Sequence, residues 1–240
     1  SRECSESVVT ESLKLLENKR RDGSKVPHKI IAVACSIDHA EQIKQLYVEK
    51  GYRAEQIFNW LYVEKVKSFD DMTNLSLELR EKLKQNYTMC NFEILSKQES
   101  SDGTKKYLFD VLDGNAIETV LMQYHHGKTI CVSSQIGCKM GCKFCASTGI
   151  AFVRGLTSGE IVEQILAVEQ DIGEHISNIV FMGIGEPFDN YDNVMHAIRI
   201  INNQKGLNIG ARHISVSTSG LVPRIYDFAN EDLQCTLSIS

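Results

Sequence analysis

The alternation of hydrophobic and polar positions changes along this chain, and each change predicts a different kind of structure. Within residues 37–90 apolar side chains recur three and four positions apart, as Ile57 and Leu61 do, which predicts a set of helices. Residues 91–125 alternate between apolar and polar, with turn residues between the runs, which predicts an antiparallel β-meander. From residue 126 to 240, strand-like runs alternate with helix-like runs. That order is typical of parallel strands joined by right-handed crossovers.

The last of these regions has the most regular pattern. We expect four parallel strands in it, at residues 129–134, 178–182, 214–217 and 235–239. Helices are expected between them, at residues 157–170, 193–203 and 222–229. The predicted fold class is therefore α/β, with a smaller helical domain and a β extension before the main domain. Residues 1–36 have the pattern of a helix followed by an apolar stretch and are assigned to no domain.

Composition narrows the class of protein. The chain has 240 residues, of which 42% are hydrophobic and 24% charged, the balance of a soluble globular protein. No apolar run reaches the roughly 18 residues needed to span a bilayer, and the first residues lack an apolar secretory core. Eight cysteines, three of them clustered, fit a reducing cytoplasm better than an exported disulfide scaffold. The net charge of −5 does not support nucleic-acid binding, for which a basic patch is expected.

The clustered cysteines are Cys138, Cys142 and Cys145, at a C-x3-C-x2-C spacing. A structural zinc site normally closes with four protein ligands, and most iron–sulfur clusters bind four cysteines. Three thiolates on a 4Fe-4S cluster leave one iron free to bind a small molecule. Gly137 and Gly141 allow the backbone to wrap tightly around such a group. Three free thiols, or a zinc site with a remote fourth ligand, are the alternative interpretations.

This spacing, with the aromatic Phe144 before the third cysteine, resembles the signature of radical S-adenosylmethionine (SAM) enzymes. Three other segments narrow the resemblance to the ribosomal RNA adenine carbon-2 methyltransferases: residues 131–138 (CVSSQIGC), 182–187 (MGIGEP) and 217–220 (STSG). The resemblance begins near residue 37 and is most specific from Glu118 onward.

The resemblance implies an architecture. Members of this family have a partial barrel of six strand–helix units, (βα)6, and the predicted strands match its first four, so we expect the chain to stop in mid-barrel. Residues 37–90 then correspond to a helical accessory domain that helps hold folded RNA, residues 91–125 to the β-meander extension, and residues 126–240 to the N-terminal part of the barrel. Active-site loops of barrels follow the carboxyl ends of the strands.

The resemblance also implies the cofactors. Cys138, Cys142 and Cys145 would bind a 4Fe-4S cluster, whose open iron would bind SAM. The residues implied to contact SAM are Gly185, Glu186, Ser217 and Ser240. The glycine would allow close backbone approach, and Glu186 would accept a hydrogen bond from the SAM ammonium group. An electron from a flavodoxin-like donor would cleave SAM to a 5′-deoxyadenosyl radical.

In the implied reaction, one SAM methylates a cysteine, and a radical derived from a second SAM activates that methyl group for addition to adenine. Cys131 matches the cysteine that releases the product by forming a disulfide, and Glu118 matches the proposed base. The methyl-carrying cysteine has no matching position up to Ser240, so we expect this chain alone not to complete methylation. Without the resemblance, Cys131 would be interpreted as a small buried apolar residue and Glu118 as a solvent-facing one.

The implied substrates are 23S ribosomal RNA and transfer RNA. Residues 145–149 (CASTG) resemble the carbon-2 group more closely than the related enzymes that methylate adenine carbon-8, which are one alternative. A different radical SAM enzyme is a second alternative, and a non-catalytic metal- or RNA-binding fragment is a third. No membrane partner is expected.

Overall fold

The computed structural model describes residues 53–125 and 127–240, which divide into two compact units. One unit ends at Met89, and the other runs from Cys90 to Ser240. The helix and apolar stretch predicted within residues 1–36 lie outside the described residues. Within the described stretches, no helix has both the length and the apolar character needed to cross a bilayer.

The described part of the first unit is helical. Helix α1 spans Arg53–Tyr62 and α2 spans Leu77–Asn86, with a 3-10 turn at Phe69–Asp71 between them. Ser76 caps α2, because its hydroxyl accepts a hydrogen bond from the Leu79 amide at 3.3 Å. A small apolar core packs between these elements and consists of Ile57, Met72, Leu75, Leu83 and Tyr87.

The strands of the second unit, in chain order, are β1 (Glu93–Glu99), β2 (Lys105–Asp110), β3 (Ala116–Tyr124), β4 (Gly127–Cys131), β5 (Gln135–Ile136), β6 (Arg154–Gly155), β7 (Asn178–Phe181), β8 (Ile214–Thr218) and β9 (Thr236–Ile239). Seven of them form one sheet in the order β1-β2-β3-β4-β7-β8-β9. The pairs from β1 to β4 are antiparallel, whereas β4, β7, β8 and β9 pair in parallel. The predicted meander and the predicted parallel strands are therefore parts of one continuous sheet.

The remaining two strands, β5 and β6, pair with each other in an antiparallel ladder that the sequence pattern does not predict. Ile136 pairs with Arg154, and the Val153 amide donates to the Ile136 carbonyl at 2.8 Å. The ladder closes the intervening chain into a loop that carries all three clustered cysteines. We call residues 137–153 the cysteine loop.

Three helices follow the parallel strands: α3 (Ser158–Ile172), α4 (Tyr191–Ile201) and α5 (Val222–Ala229). Helix α3 begins with a capping box between Thr157 and Glu160 and ends at Gly173, whose φ of 68° is left-handed. Helix α4 begins earlier than predicted, because a 3-10 turn at Pro187–Asn190 leads directly into it. A further 3-10 turn spans Ala211–His213.

The two faces of the sheet differ in exposure, since alternate residues of a strand point to opposite sides. The buried face carries Ile117, Ile130, Ile179, Phe181, Ile214 and Val216, each at most 1% exposed. Thr119 of this face donates a hydrogen bond to Gln164 of α3 at 2.8 Å, which places α3 against it. The opposite face, which we call the open face, is only half-buried and carries Glu118, Val120, Cys131, Val180, Ser215 and Ser217. The predicted α/β class is confirmed.

Candidate functional site

The loops that follow β4 and β7 are joined by backbone hydrogen bonds at the carboxyl edge of the parallel strands. The amides of Ser134 and Gln135 both donate to the carbonyl of Ile184, at 2.9 and 3.1 Å. We call residues 183–188 the glycine–glutamate loop. Barrels and open α/β sheets place their active sites at this edge of the sheet.

Glu186 connects the glycine–glutamate loop to the loop after β8. Its carboxylate is 3% exposed and accepts four hydrogen bonds from the protein. Oε1 accepts from the Phe188 amide at 3.0 Å and from Thr218 Oγ1 at 2.8 Å. Oε2 accepts from the amide and the hydroxyl of Ser219, at 2.8 and 2.9 Å. Since a carboxylate offers about four acceptor positions, a SAM ammonium group could bind Glu186 only by replacing one of these donors.

Gly185 has a φ of +104°, which side-chain-bearing residues rarely adopt. A Cβ at this position would lie 2.5 Å from the Cβ of Gln135. In the structure the group that approaches this glycine closely is the side chain of Gln135. The glycine lets Gln135 pack directly against the glycine–glutamate loop.

Gln164 is a functional-site residue that sequence reasoning missed. It is fully buried in α3, and its side chain accepts from the Ser133 amide at 2.8 Å and donates to the Ser133 carbonyl at 2.9 Å. Ser133 in turn donates its hydroxyl to the carbonyl of Glu118 at 2.6 Å. A polar residue between the buried Val162 and Ile165 was the available signal, because buried amides need hydrogen-bond partners.

Asn190 has a similar role beside β5 and β6, and the sequence analysis did not single it out either. Its side-chain nitrogen donates to the carbonyls of Ser134 and Leu156, at 2.8 and 2.7 Å. Gly155 passes so close that an added Cβ would lie 2.6 Å from Asn190 Oδ1. The base of the cysteine loop is therefore bound by a buried amide to the segment that begins α4.

Asp189 lies between the two loops. It accepts hydrogen bonds from Gln135 Nε2 at 2.8 Å and from Lys139 Nζ at 2.9 Å. Burial alone would raise the pKa of Asp189, but the hydrogen bonds from Lys139 and Gln135 and the Lys139 charge outweigh it, so its pKa lies below the usual range.

The cysteine loop itself is more exposed than its surroundings. Cys145 is exposed, Cys138 and Cys142 are partly buried, and the Phe144 side chain is 78% exposed. The Cys138 amide donates across the loop to the Ile150 carbonyl at 3.4 Å, and the Cys145 amide makes a local turn by donating to the Cys142 carbonyl at 3.1 Å. Gly137 and Gly141 have left-handed φ values of +70° and +66°, a conformation that glycine adopts without strain.

The chemistry of these residues fits an iron–sulfur cluster. All three thiols are free, they belong to one loop, and the Met140 amide points at Cys138 Sγ from 3.5 Å. Among residues 53–125 and 127–240, no three His, Cys, Asp or Glu side chains converge closely enough to bind a single metal ion. Thiolates are the side chains that bind iron–sulfur clusters.

Glu118 and Cys131, predicted to be catalytic, lie on the open face. Val120 pairs with Cys131 across β3 and β4, and Glu118 stands two residues from Val120, hence on the same side. Burial raises the pKa of the Cys131 thiol, although a backbone hydrogen bond at Met182 partly offsets this. Glu118 Oε1 lies 3.0 Å from Lys106 Nζ, and their side chains are 43% and 45% exposed.

Ser217 and Ser240, predicted to line SAM, are brought together by the pairing of β8 with β9. Their hydroxyl oxygens lie 3.1 Å apart, and the Ser240 amide donates to the Thr218 carbonyl at 3.1 Å. Ser217 is on the open face with Cys131. The structure therefore groups the predicted residues into a cysteine loop, a glycine–glutamate loop and an open face, which meet at one edge of the sheet.

Two family models match the chain. Residues 132–237 match the radical SAM superfamily, and residues 41–89 match the ribosomal RNA large subunit methyltransferase N-terminal domain. A solved structure also resembles it, the crystal structure of a radical SAM methyltransferase from Sphaerobacter thermophilus. That likeness has a TM-score of 0.77 and 40% identity, covering 88% of this chain and 63% of the other.

Curated relatives are more similar in sequence. The probable dual-specificity RNA methyltransferase RlmN of Staphylococcus carnosus (strain TM300) is 54% identical over 206 residues, which cover 83% of this chain and 57% of that protein. The probable dual-specificity RNA methyltransferase RlmN of Lysinibacillus sphaericus (strain C3-41) is 54% identical over 195 residues, covering 80% and 51%. The chain thus spans a little over half the length of the curated relatives it matches.

The parallel strands, the cysteine loop and the superfamily match together define a protein of the radical SAM class. Within that class, the chain is similar to the RlmN-type RNA methyltransferases.

Proposed function

We propose that this chain forms the cluster- and SAM-binding region of an enzyme that methylates carbon-2 of adenine in 23S ribosomal RNA and transfer RNA. The observation that carries the proposal is the common location of independent motifs at one edge of the sheet. The cysteine loop follows β4 and the short strand β5, the glycine–glutamate loop follows β7, and Glu118 and Cys131 lie on the open face of the neighbouring strands β3 and β4. The relatives are named probable dual-specificity RNA methyltransferases, which supports RNA as the substrate.

In this proposal Cys138, Cys142 and Cys145 hold the 4Fe-4S cluster. The cluster, when bound, supplies the electron that cleaves SAM. The glycine–glutamate loop, Ser217 and Ser240 bind and orient SAM by their backbone and hydroxyl groups. Because Glu186 already accepts four hydrogen bonds, its first contribution is to hold the loops after β7 and β8 together.

Glu118 and Cys131 act on the substrate side of the open face. Glu118 accepts the proton that leaves the adenine ring, and its carboxylate lies 3.0 Å from the Lys106 ammonium group. Cys131 releases the product by attacking the sulfur that carried the methyl group. An S–S bond forms as the S–C bond to the product breaks, and the carbon takes the electron pair and a proton. The raised pKa of Cys131 keeps its thiol protonated until that step, which limits premature oxidation.

The electron donor we propose is a small reducing protein of the flavodoxin type, and the compartment is the cytoplasm. Support for the compartment comes from the cysteines within the described residues, all of which are free thiols.

Anaerobic reconstitution with iron and sulfide tests the cofactor part of the proposal. We expect about four irons and four sulfides per chain, with an electron paramagnetic resonance signal of the reduced cluster that changes when SAM is added. Cys142→Ala should abolish cluster uptake. Cys235→Ala, which removes a free cysteine outside the loop, is the matched control and should retain it. Uptake of zinc without iron, or a cluster signal that ignores SAM, would contradict the proposal.

RNA recognition is tested separately by fluorescence anisotropy. A fragment of 23S ribosomal RNA and a transfer RNA should both bind more tightly than a DNA of the same sequence as the ribosomal fragment. If the DNA bound as tightly as the RNAs, nonspecific attraction to the phosphate backbone would explain the binding, and specific RNA recognition would be excluded.

A further inference from the structure

Three side chains form a continuous hydrogen-bonded connection between the glycine–glutamate loop and the cysteine loop. Gln135 is 1% exposed, and its Oε1 accepts from the Glu186 amide at 2.9 Å. Its Nε2 donates to Asp189 Oδ2 at 2.8 Å, and the same oxygen accepts from Lys139 Nζ at 2.9 Å. Lys139 directly follows Cys138 in the sequence. The connection therefore runs from the backbone amide of Glu186 in one loop to Lys139, the residue after the first cysteine, in the other.

The orientation of Gln135 is determined by its neighbours. A backbone amide can only donate and a carboxylate can only accept, so the side-chain oxygen must face Glu186 and the nitrogen must face Asp189. Gly185 adds a steric constraint, because a Cβ there would meet the Gln135 side chain at 2.5 Å. Gln135 thus has one arrangement that satisfies all its neighbours.

Lys139 also contacts the returning arm of the cysteine loop. Its Nζ lies 4.0 Å from the centre of the Phe152 ring, close enough for a cation–π interaction. A lysine that extended freely into solvent would contact neither Phe152 nor Asp189. Although the Lys139 side chain is 49% exposed, it contacts Asp189 on one side and the Phe152 ring on the other.

We propose that Gln135, Asp189 and Lys139 are positioning residues that set the placement of the cysteine loop against the glycine–glutamate loop. A cofactor that touches both loops binds best when their separation is already correct, since less ordering is left for the binding step. The effect on SAM binding rests on the proposed function, whereas the effect on loop order does not.

The test uses Lys139→Met, Asp189→Asn, the double variant, and Lys139→Arg as the conservative substitution. Lys143→Met is the matched control, because it removes an exposed lysine of the same loop that lies outside this connection. Hydrogen exchange of residues 137–153 and 183–188 is measured on cluster-free protein. The dissociation constant for SAM is measured on reconstituted protein, with iron content determined for each variant.

Lys139→Met and Asp189→Asn should each speed amide exchange and weaken SAM binding about three- to tenfold, the range expected for losing a charge-assisted hydrogen bond. Their iron content should equal that of the wild type. The double variant should lose less than the sum of the two single effects, because both changes break the contact between Lys139 and Asp189. Lys139→Arg should recover most of the effect.

If Lys139→Met behaves like Lys143→Met in both measurements, or if the two single effects simply add, the positioning role is wrong. If the wild type takes up no iron, the proposed function fails, while the exchange comparison still decides whether the connection orders the loops.

Discussion

The glycine–glutamate loop and the cysteine loop lie side by side, yet they are built in opposite ways. The first is buried and held by side chains from several segments, with Glu186 alone accepting four hydrogen bonds. The second is exposed over most of its length, including Phe144 and Cys145. Only its base, at the β5–β6 ladder, has comparable backbone pairing.

This difference indicates how the site is divided. The half that is proposed to contact SAM is organised by the protein itself, so its geometry depends on burial and internal hydrogen bonds. The half that is proposed to hold the cluster leaves its thiols accessible, and metal binding contributes folding free energy to such segments. Mutations should therefore affect the stability of the apo protein strongly in the first loop and weakly in the second.

The largest effect is expected from a matched pair of glycine substitutions. Gly185→Ala introduces a Cβ 2.5 Å from Gln135 in a conformation with φ of +104°, and should lower the free energy of unfolding by about 4 kcal/mol through overpacking and strain. Gly141→Ala in the cysteine loop meets nothing within 4 Å and should lower it by only about 1 kcal/mol. Urea denaturation of both variants measures the difference. Equal losses would mean that the two loops are equally constrained.

Removing the Glu186 carboxylate is expected to have the next largest effect. Glu186→Ala leaves the buried donors of Phe188 and Thr218, and the donors of Ser219, without their acceptor and should lower the free energy of unfolding by about 3 kcal/mol. Glu174→Ala, which removes a 63% exposed partner of Lys128, is the control and should lower it by less than about 1 kcal/mol. If Glu186→Ala lowered the free energy of unfolding no more than Glu174→Ala does, the buried network would not organise the site.

The thiol of the exposed cysteine loop should also be more reactive than the partly buried thiol of Cys131. In cluster-free protein at neutral pH, iodoacetamide should modify the exposed Cys145 roughly tenfold faster than Cys131, because burial limits access to Cys131 and raises its pKa. Mass spectrometry of peptides sampled over time gives both rates in one experiment. Faster modification of Cys131 would indicate that the open face is more accessible than the cysteine loop.

The smallest effect concerns the contact between the loops and depends on pH. The lowered pKa of Asp189 means that its contribution to stability is present above the pKa of the unfolded state, near 3.8, and is lost as pH falls through the lower folded-state pKa. Asp189→Asn should cost about 1 kcal/mol at pH 6 and progressively less below pH 4. In the Lys139→Met background this pH dependence should largely disappear. A cost that is unchanged at low pH would exclude a contribution from the carboxylate charge.

Much of the fold could be predicted from the chain itself. The strand positions after residue 126 and helix α5 agree with the pattern, because period-two and helical runs there are bounded by clear turn residues. The β5–β6 ladder was not predictable, since two-residue strands leave no periodicity. The joining of the meander to the parallel strands was not predictable either, because it depends on the pairing of β3 with β4.

The candidate site also contains residues that the sequence predicts and residues that it does not. Local spacing identified Cys138, Cys142 and Cys145, which are neighbours in the sequence. Gln164 and Asn190 could not be predicted because their hydrogen-bond partners are backbone groups of remote segments. A sequence does not show whether a side-chain amide is hydrogen-bonded in the fold.

The order of residues by itself determined the chemistry available to this protein: three thiols in one short loop, a flexible glycine beside a carboxylate, and strands that alternate with helices. Only the tertiary structure decided that Glu118 and Cys131 share a face and that Glu186 is fully engaged within the protein. The physical reason is that a hydrogen bond needs its two atoms within about 3 Å, and for remote segments that distance is created only when the strands pair in register.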